Sequence, residues 1–177
     1  MRASMWLMLV LTVACSAAYA DYTWQTYEGH QYALTQNYGS WMEAEAEALA
    51  AGGDLATVNN SAENNWLSST FSNTYREGST WNMEALAWIG LHKGMGGVWE
   101  WSGGEPVTFV NWYTGSPYTG DYVYLHVPPH PGAGTWWNDQ DEPYRALGII
   151  EVVPEPATLS LLVLGGLPLL RRKGYRG

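Results

Sequence analysis

The chain has one cysteine, Cys15, in 177 residues. A framework of loops stapled by disulfides is therefore excluded, and the fold must rest on core packing. Fixed cations are almost as scarce. Residues 21–153 carry 16 Asp/Glu against Arg76, Lys93 and Arg145 alone, and 16 minus 3 leaves a net charge of −13. Such a body is repelled by nucleic acid and anionic lipid, so no nucleic-acid partner is expected. Catalytic signatures are missing too. There is no serine elbow, catalytic cysteine or phosphate loop. The histidines, His30, His92, His126 and His130, show no HExxH-like spacing. His126 and His130 stand four apart, but Pro128-Pro129 between them precludes a shared helix face for a metal. The chain reads as a non-enzyme. A polysaccharide hydrolase built on Glu100 and Glu105 is the weak alternative, because carboxylates are common here by composition alone.

Aromatic residues are plentiful, with 11 Trp and 12 Tyr. Ten of the tryptophans fall between residues 21 and 153. The ends are of different character. Residues 1–20 have Arg2, an apolar run over 5–14 and the small-residue exit Ala18-Tyr19-Ala20, the pattern of a secretory signal peptide cleaved before Asp21. Residues 154–177 combine Pro154-Glu155-Pro156, a short apolar run and Arg171-Arg172-Lys173. That order resembles the PEP-CTERM sorting signal. The resemblance implies transient membrane insertion and processing by an exosortase-type transpeptidase. It places the protein at the cell surface or in the extracellular matrix of a Gram-negative-type bacterium. The functional domain is then residues 21–153.

Two helix signals open that domain. Ser40-Trp41-Met42-Glu43 has capping-box form, and the alanine-rich segment after it stops at Gly52-Gly53. Trp41, Ala44 and Ala48 share one face. A second helix starts at Asn60, with Glu63 as a capping residue three positions on. Strands are expected at 32–35, 55–58, 87–91, 98–101, 122–127 and 147–153. Residues 106–135, rich in Gly, Pro, Tyr and Thr, form a long loop region of the kind that is either functional or disordered. The expected fold is α+β, two helices packed on antiparallel sheets with a long loop region.

Five segments, Trp88-Ile89-Gly90-Leu91, Trp99-Glu100-Trp101, Asn111-Trp112, Trp137-Asn138-Asp139 and Gly148-Ile149-Ile150-Glu151, resemble a C-type lectin-like domain. Gly29-His30-Gln31-Tyr32 and Gly52-Gly53-Asp54-Leu55-Ala56 extend the resemblance across the domain. It implies burial of Trp88 and Leu91, with Gly90 permitting close packing. It also implies two disulfide positions, occupied here by Ala48 with Ile150 and by Tyr122 with Glu142. The first substitution is apolar compensation. The second suggests a hydroxyl–carboxylate contact.

In sugar-binding members a Glu-Pro-Asn or Gln-Pro-Asp triplet with a cis proline holds calcium and sugar. The corresponding triplet here is Ser116-Pro117-Tyr118, which keeps the proline and loses the charged ligand. Asn138 and Asp139 hold the family's other ligand positions, and Asp121 matches a nearby acidic one. Together these three are the candidate Ca2+ ligands, and calcium needs six to eight oxygens. Glu63 is a candidate for a second calcium, as in some members. Trp136, Tyr113 and Tyr118 are the expected exposed stacking residues, joined by Ser116 and Asn138 in ligand binding, while Trp137 is expected to pack inward. The implied function is an exported binding module for exopolysaccharide, a surface glycan or another surface protein. The alternative is a calcium-independent structural or protein-interaction domain.

Overall fold

Ser40 starts the first helix as its neighbours require. Its hydroxyl accepts from the Glu43 amide at 3.3 Å, and the Glu43 carboxylate accepts from the Ser40 amide at 2.9 Å. This closed box fixes the start of α1, Trp41–Ala50. Asn60 caps α2, Ser61–Thr70, by accepting from the amides of Ala62 and Glu63. The computed structural model describes residues 21–139 and 145–154, with the backbone alone at Asp139. The leader over 1–20, the tail from Glu155 onward, and Asp141 and Glu142 lie outside the described residues.

Eight strands complete the fold: β1 Gln25–Tyr27, β2 His30–Leu34, β3 Asp54–Leu55, β4 Leu86–Lys93, β5 Trp99–Trp101, β6 Tyr122–His126, β7 Trp136–Asp139 and β8 Ile149–Val152. They form two four-stranded sheets, ordered β1-β2-β8-β3 and β5-β4-β6-β7, and every strand pair is antiparallel. The expected α+β architecture of two helices on antiparallel sheets is what the chain adopts. Two expectations were too simple. β1 was not foreseen, and β7 runs directly on from the stretch read as loop.

β4 is the axis of the molecule. Leu86 to Leu91 are all buried, as a strand covered on both faces must be. Two tryptophan N–H groups bind the first helix region to it. Trp41 donates to the Ile89 carbonyl at 2.7 Å, and Trp88 donates to the Gly39 carbonyl at 3.0 Å. A Cβ on Gly90 would stand 2.4 Å from the Leu55 carbonyl oxygen, so the close approach of β3 to β4 requires glycine there.

Ala48 and Ile150 are both fully buried in one apolar cluster with Trp41, Leu55 and Trp88. Apolar packing thus stands where the family resemblance placed a disulfide. Tyr122, at the other such position, stacks on Trp41 with centroids 5.0 Å apart. The double variant Ala48→Cys/Ile150→Cys should crosslink on air oxidation and raise the melting midpoint, by up to about 2–4 kcal/mol of stability. A free-thiol assay and a melt with and without reductant check this. A double variant that stays reduced would mean that α1 and β8 do not face each other as described.

Candidate functional site

Alternation along β7 organises the site. Trp136 and Asn138 point inward and are 0% and 1% exposed, while Trp137 between them is half-buried. Trp136 is therefore not a surface residue. Its ring meets Trp101, Phe109 and Trp112 edge-on, with centroids 5.6–6.0 Å apart, and its N–H donates to Asn64 at 2.7 Å. The expectation that Trp136 is exposed and Trp137 packs inward is corrected here: the two exchange places. Period-two alternation carried the signal, since an inward Asn138 requires an inward Trp136.

The loop after β5 folds back over this strand. Tyr113 donates its amide to the Trp136 carbonyl at 2.8 Å, and Trp136 donates its own to Asn111. The Ser116–Pro117 bond is cis. Asn138 then clamps the loop: its Oδ1 accepts from the Tyr118 amide at 2.6 Å, and its Nδ2 donates to the Gly120 carbonyl at 2.7 Å. Tyr118 is thereby held at the surface, 53% exposed, with its ring on Trp137 at 4.8 Å. Tyr113, half-buried, also lies against Trp137, at 5.7 Å. Tyr118, Trp137 and Tyr113 thus form an aromatic arc with interplanar tilts of 38° and 51°.

Two of the three expected calcium ligands, Asn138 and Asp121, are already engaged. Asn138 is a buried clamp whose oxygen is already committed to the loop backbone. Asp121 pairs with Lys93 at 3.1 Å. The Ser116 hydroxyl is buried with no hydrogen-bond partner among the described residues. Asp139 follows on β7 opposite Tyr122, and its side chain lies outside the described structure. Among the described residues no three His, Cys, Asp or Glu side chains converge as a metal site. Asn138→Ala should leave the Tyr118 amide and the Gly120 carbonyl without partners. The expected cost is about 1–3 kcal/mol, read as a lower melting midpoint.

Behind the arc lies a feature the sequence did not show. His126 and His130 stack face to face, 3.7 Å apart and 4° from parallel, and both are buried. Tyr113 meets both rings edge-on. The Gly132 amide donates to His130 Nδ1 at 2.9 Å, so the neutral ring carries its proton on Nε2. The Thr135 hydroxyl donates to Gly132 at 2.6 Å and accepts from His126 Nδ1 at 3.1 Å. Burial, and next the neighbouring His130, push the His126 pKa down to about 3; burial lowers His130 also. Parallel rings do not converge on a shared ion, so this is a neutral stack and no metal pair.

A second polar centre joins α2 to the first sheet. Tyr32 donates to Glu63 at 2.8 Å and lies 3.1 Å from Glu151. Glu151 also accepts from the Thr57 amide, and His30 stands against it. Burial raises the Glu151 pKa, against the lowering effect of its His30, Thr57 and Tyr32 hydrogen bonds. Glu63 is 5% exposed and accepts from the Asn59 amide as well. Its carboxylate therefore holds the backbone at the start of α2, as a capping residue does, and also belongs to this network.

The family is now legible from several sides. The Lectin C-type domain model matches residues 37–143. The chain belongs to the C-type lectin family, whose members are non-enzymatic binding proteins. It is 26% identical to Lectin BRA-3 of Megabalanus rosa over 138 residues, 76% of this chain and 78% of that one. It is 38% identical to Regenerating islet-derived protein 3-beta of Mus musculus over 95 residues, 50% of this chain and 51% of the relative. The chain spans about half or less of the full length of several curated relatives it matches. Among solved structures, a calcium-independent type II antifreeze protein superposes with a TM-score of 0.60 at 18% identity, covering 73% of this chain and 91% of that one. That likeness is one of fold.

Proposed function

We propose that this domain is a calcium-independent glycan-binding module acting outside the cytoplasm, on exopolysaccharide or a surface glycan. The observation that carries the reading is the exposed Tyr118 ring packed on half-buried Trp137. Sugar rings present flat C–H faces, and aromatic side chains with one open face match them without a metal. Calcium independence rests on Asn138, whose oxygen serves the loop, and on Asp121, which serves Lys93. The leader over 1–20 and the Pro-Glu-Pro tail, read from sequence, support export to the cell surface with exosortase-type processing. A protein partner is the second reading, favoured by Trp81, which is 65% exposed, and by Met83 two residues on, which is 41% exposed.

The test is a glycan array followed by calorimetry on the parent, Tyr118→Ala and Trp137→Ala, each with calcium and with chelator. Each ring removed should weaken binding about tenfold, and chelation should change nothing. Binding abolished by chelator would restore a metal-dependent site. Binding untouched by both variants would remove the arc from the interface.

A further inference from the structure

The charge around the arc restricts what can occupy it. The domain carries three fixed cations, and each already holds a carboxylate. Arg76 meets Glu84 at 2.9 Å, Lys93 meets Asp121 at 3.1 Å, and Arg145 meets Glu43 and Glu77 at 2.8 and 3.0 Å. His30 and His92 face Glu151 and Glu100. His126 and His130 are buried against each other. An anionic ligand would have to break one of these pairs against a net charge of −13 over residues 21–153. Polyuronates and sulfated or sialylated glycans are thus disfavoured everywhere on this surface.

The arc itself favours the opposite sign. Its exposed ring, Tyr118, presents a π face, which attracts cations. The net charge of −13 over residues 21–153 draws cations to the surface around it. A neutral sugar would gain stacking alone. A sugar bearing an ammonium group would gain stacking, a cation–π contact and long-range attraction together.

Resting on the glycan-binding reading above, we infer that the arc of Tyr118, Trp137 and Tyr113 recognises a cationic glycan: a hexosamine polymer with some of its amino groups free. The exposed Tyr118 face binds the pyranose rings, and its quadrupole together with the domain's net charge selects the ammonium groups.

Calorimetry with oligomers of matched length tests this: glucosamine, N-acetylglucosamine, a uronic acid, and lysine as a non-sugar cation. The glucosamine oligomer should bind roughly tenfold more tightly than the acetylated one at about 0.05 M salt, with the gap closing at about 0.5 M. The uronate should not bind, and Tyr118→Ala should weaken the glucosamine oligomer by about tenfold. Tyr118 is exposed, so this variant keeps the fold. Equal binding of acetylated and free-amine oligomers, both lost in Tyr118→Ala, would overturn the charge selection and leave the glycan reading standing. Lysine oligomers binding as well as glucosamine would overturn it too, since the site would then read charge without sugar. If no sugar oligomer binds, both readings fall.

Discussion

Trp136→Ala should unfold the domain or lower its melting midpoint by about 10–20 °C, whereas Trp137→Ala should move it only a few degrees. The two residues are neighbours of identical chemistry, so the contrast isolates burial. Trp136 is 0% exposed and touches three aromatic rings. Its loss opens a large cavity, at about 3–5 kcal/mol. It also strips the Asn64 oxygen of the indole donor, and an unpaired buried acceptor adds a further penalty. Against a stability of about 5–15 kcal/mol, that removes a large share of the total. Trp137 has solvent on one side and aromatic rings on the other. Its removal leaves a dent on the surface, and binding is the property that suffers. Parallel thermal melts followed by circular dichroism check the pair. Similar midpoints for the two variants would mean that β7 is turned the other way.

That inversion shows where sequence reading reached its limit. Local signals were strong where short-range chemistry decides. The Ser40–Glu43 box and the Asn60 cap marked both helix starts, and buried apolar runs marked β4, β6 and β8. Sites formed by distant segments were not legible. Trp136 and Trp137 are the same residue type, and only the register of β7 against β6 separates them. Glu63 fits a helix-capping pattern, but the rotation of α2 turns it inward with Asn64, Leu67 and Ser68. Asn138 was read as a ligand because its type and place suit one. Its role as a loop clamp depends on Tyr118, 20 residues away. β1 was missed because Gln25, Thr26 and Tyr27 give no apolar alternation, and their pairing with β2 supplies the order instead.

Acid should destabilise the domain through the histidine stack. His126 has a pKa of about 3 in the folded chain against 6.5 for an ordinary histidine, chiefly from burial and then from His130. Between those values the unfolded chain binds a proton that the folded chain refuses. Stability therefore rises with pH across this window; it is complete above the unfolded value and lost as pH falls toward the folded one. The full window corresponds to about 5 kcal/mol, and His130 acts in the same direction. Glu151 and Glu45, both raised by burial, oppose it: each contributes stability that is lost as pH rises just above the ordinary carboxylate value. The groups facing the stack are Tyr113, Tyr124, Trp137 and Thr135, and none of them carries charge at neutral pH. His126→Asn separates the contributions, because its amide N–H can still reach Thr135 and it does not titrate. The parent's midpoint should fall steeply between about pH 6 and pH 4, and the variant's fall should be no more than half as large. Measured on both proteins by thermal melts across that range, equal slopes would show that the acid response arises elsewhere. A shallower slope in the variant would place it in the stack, and because Tyr113 rests on both rings, loss of the aromatic arc should accompany the parent's transition.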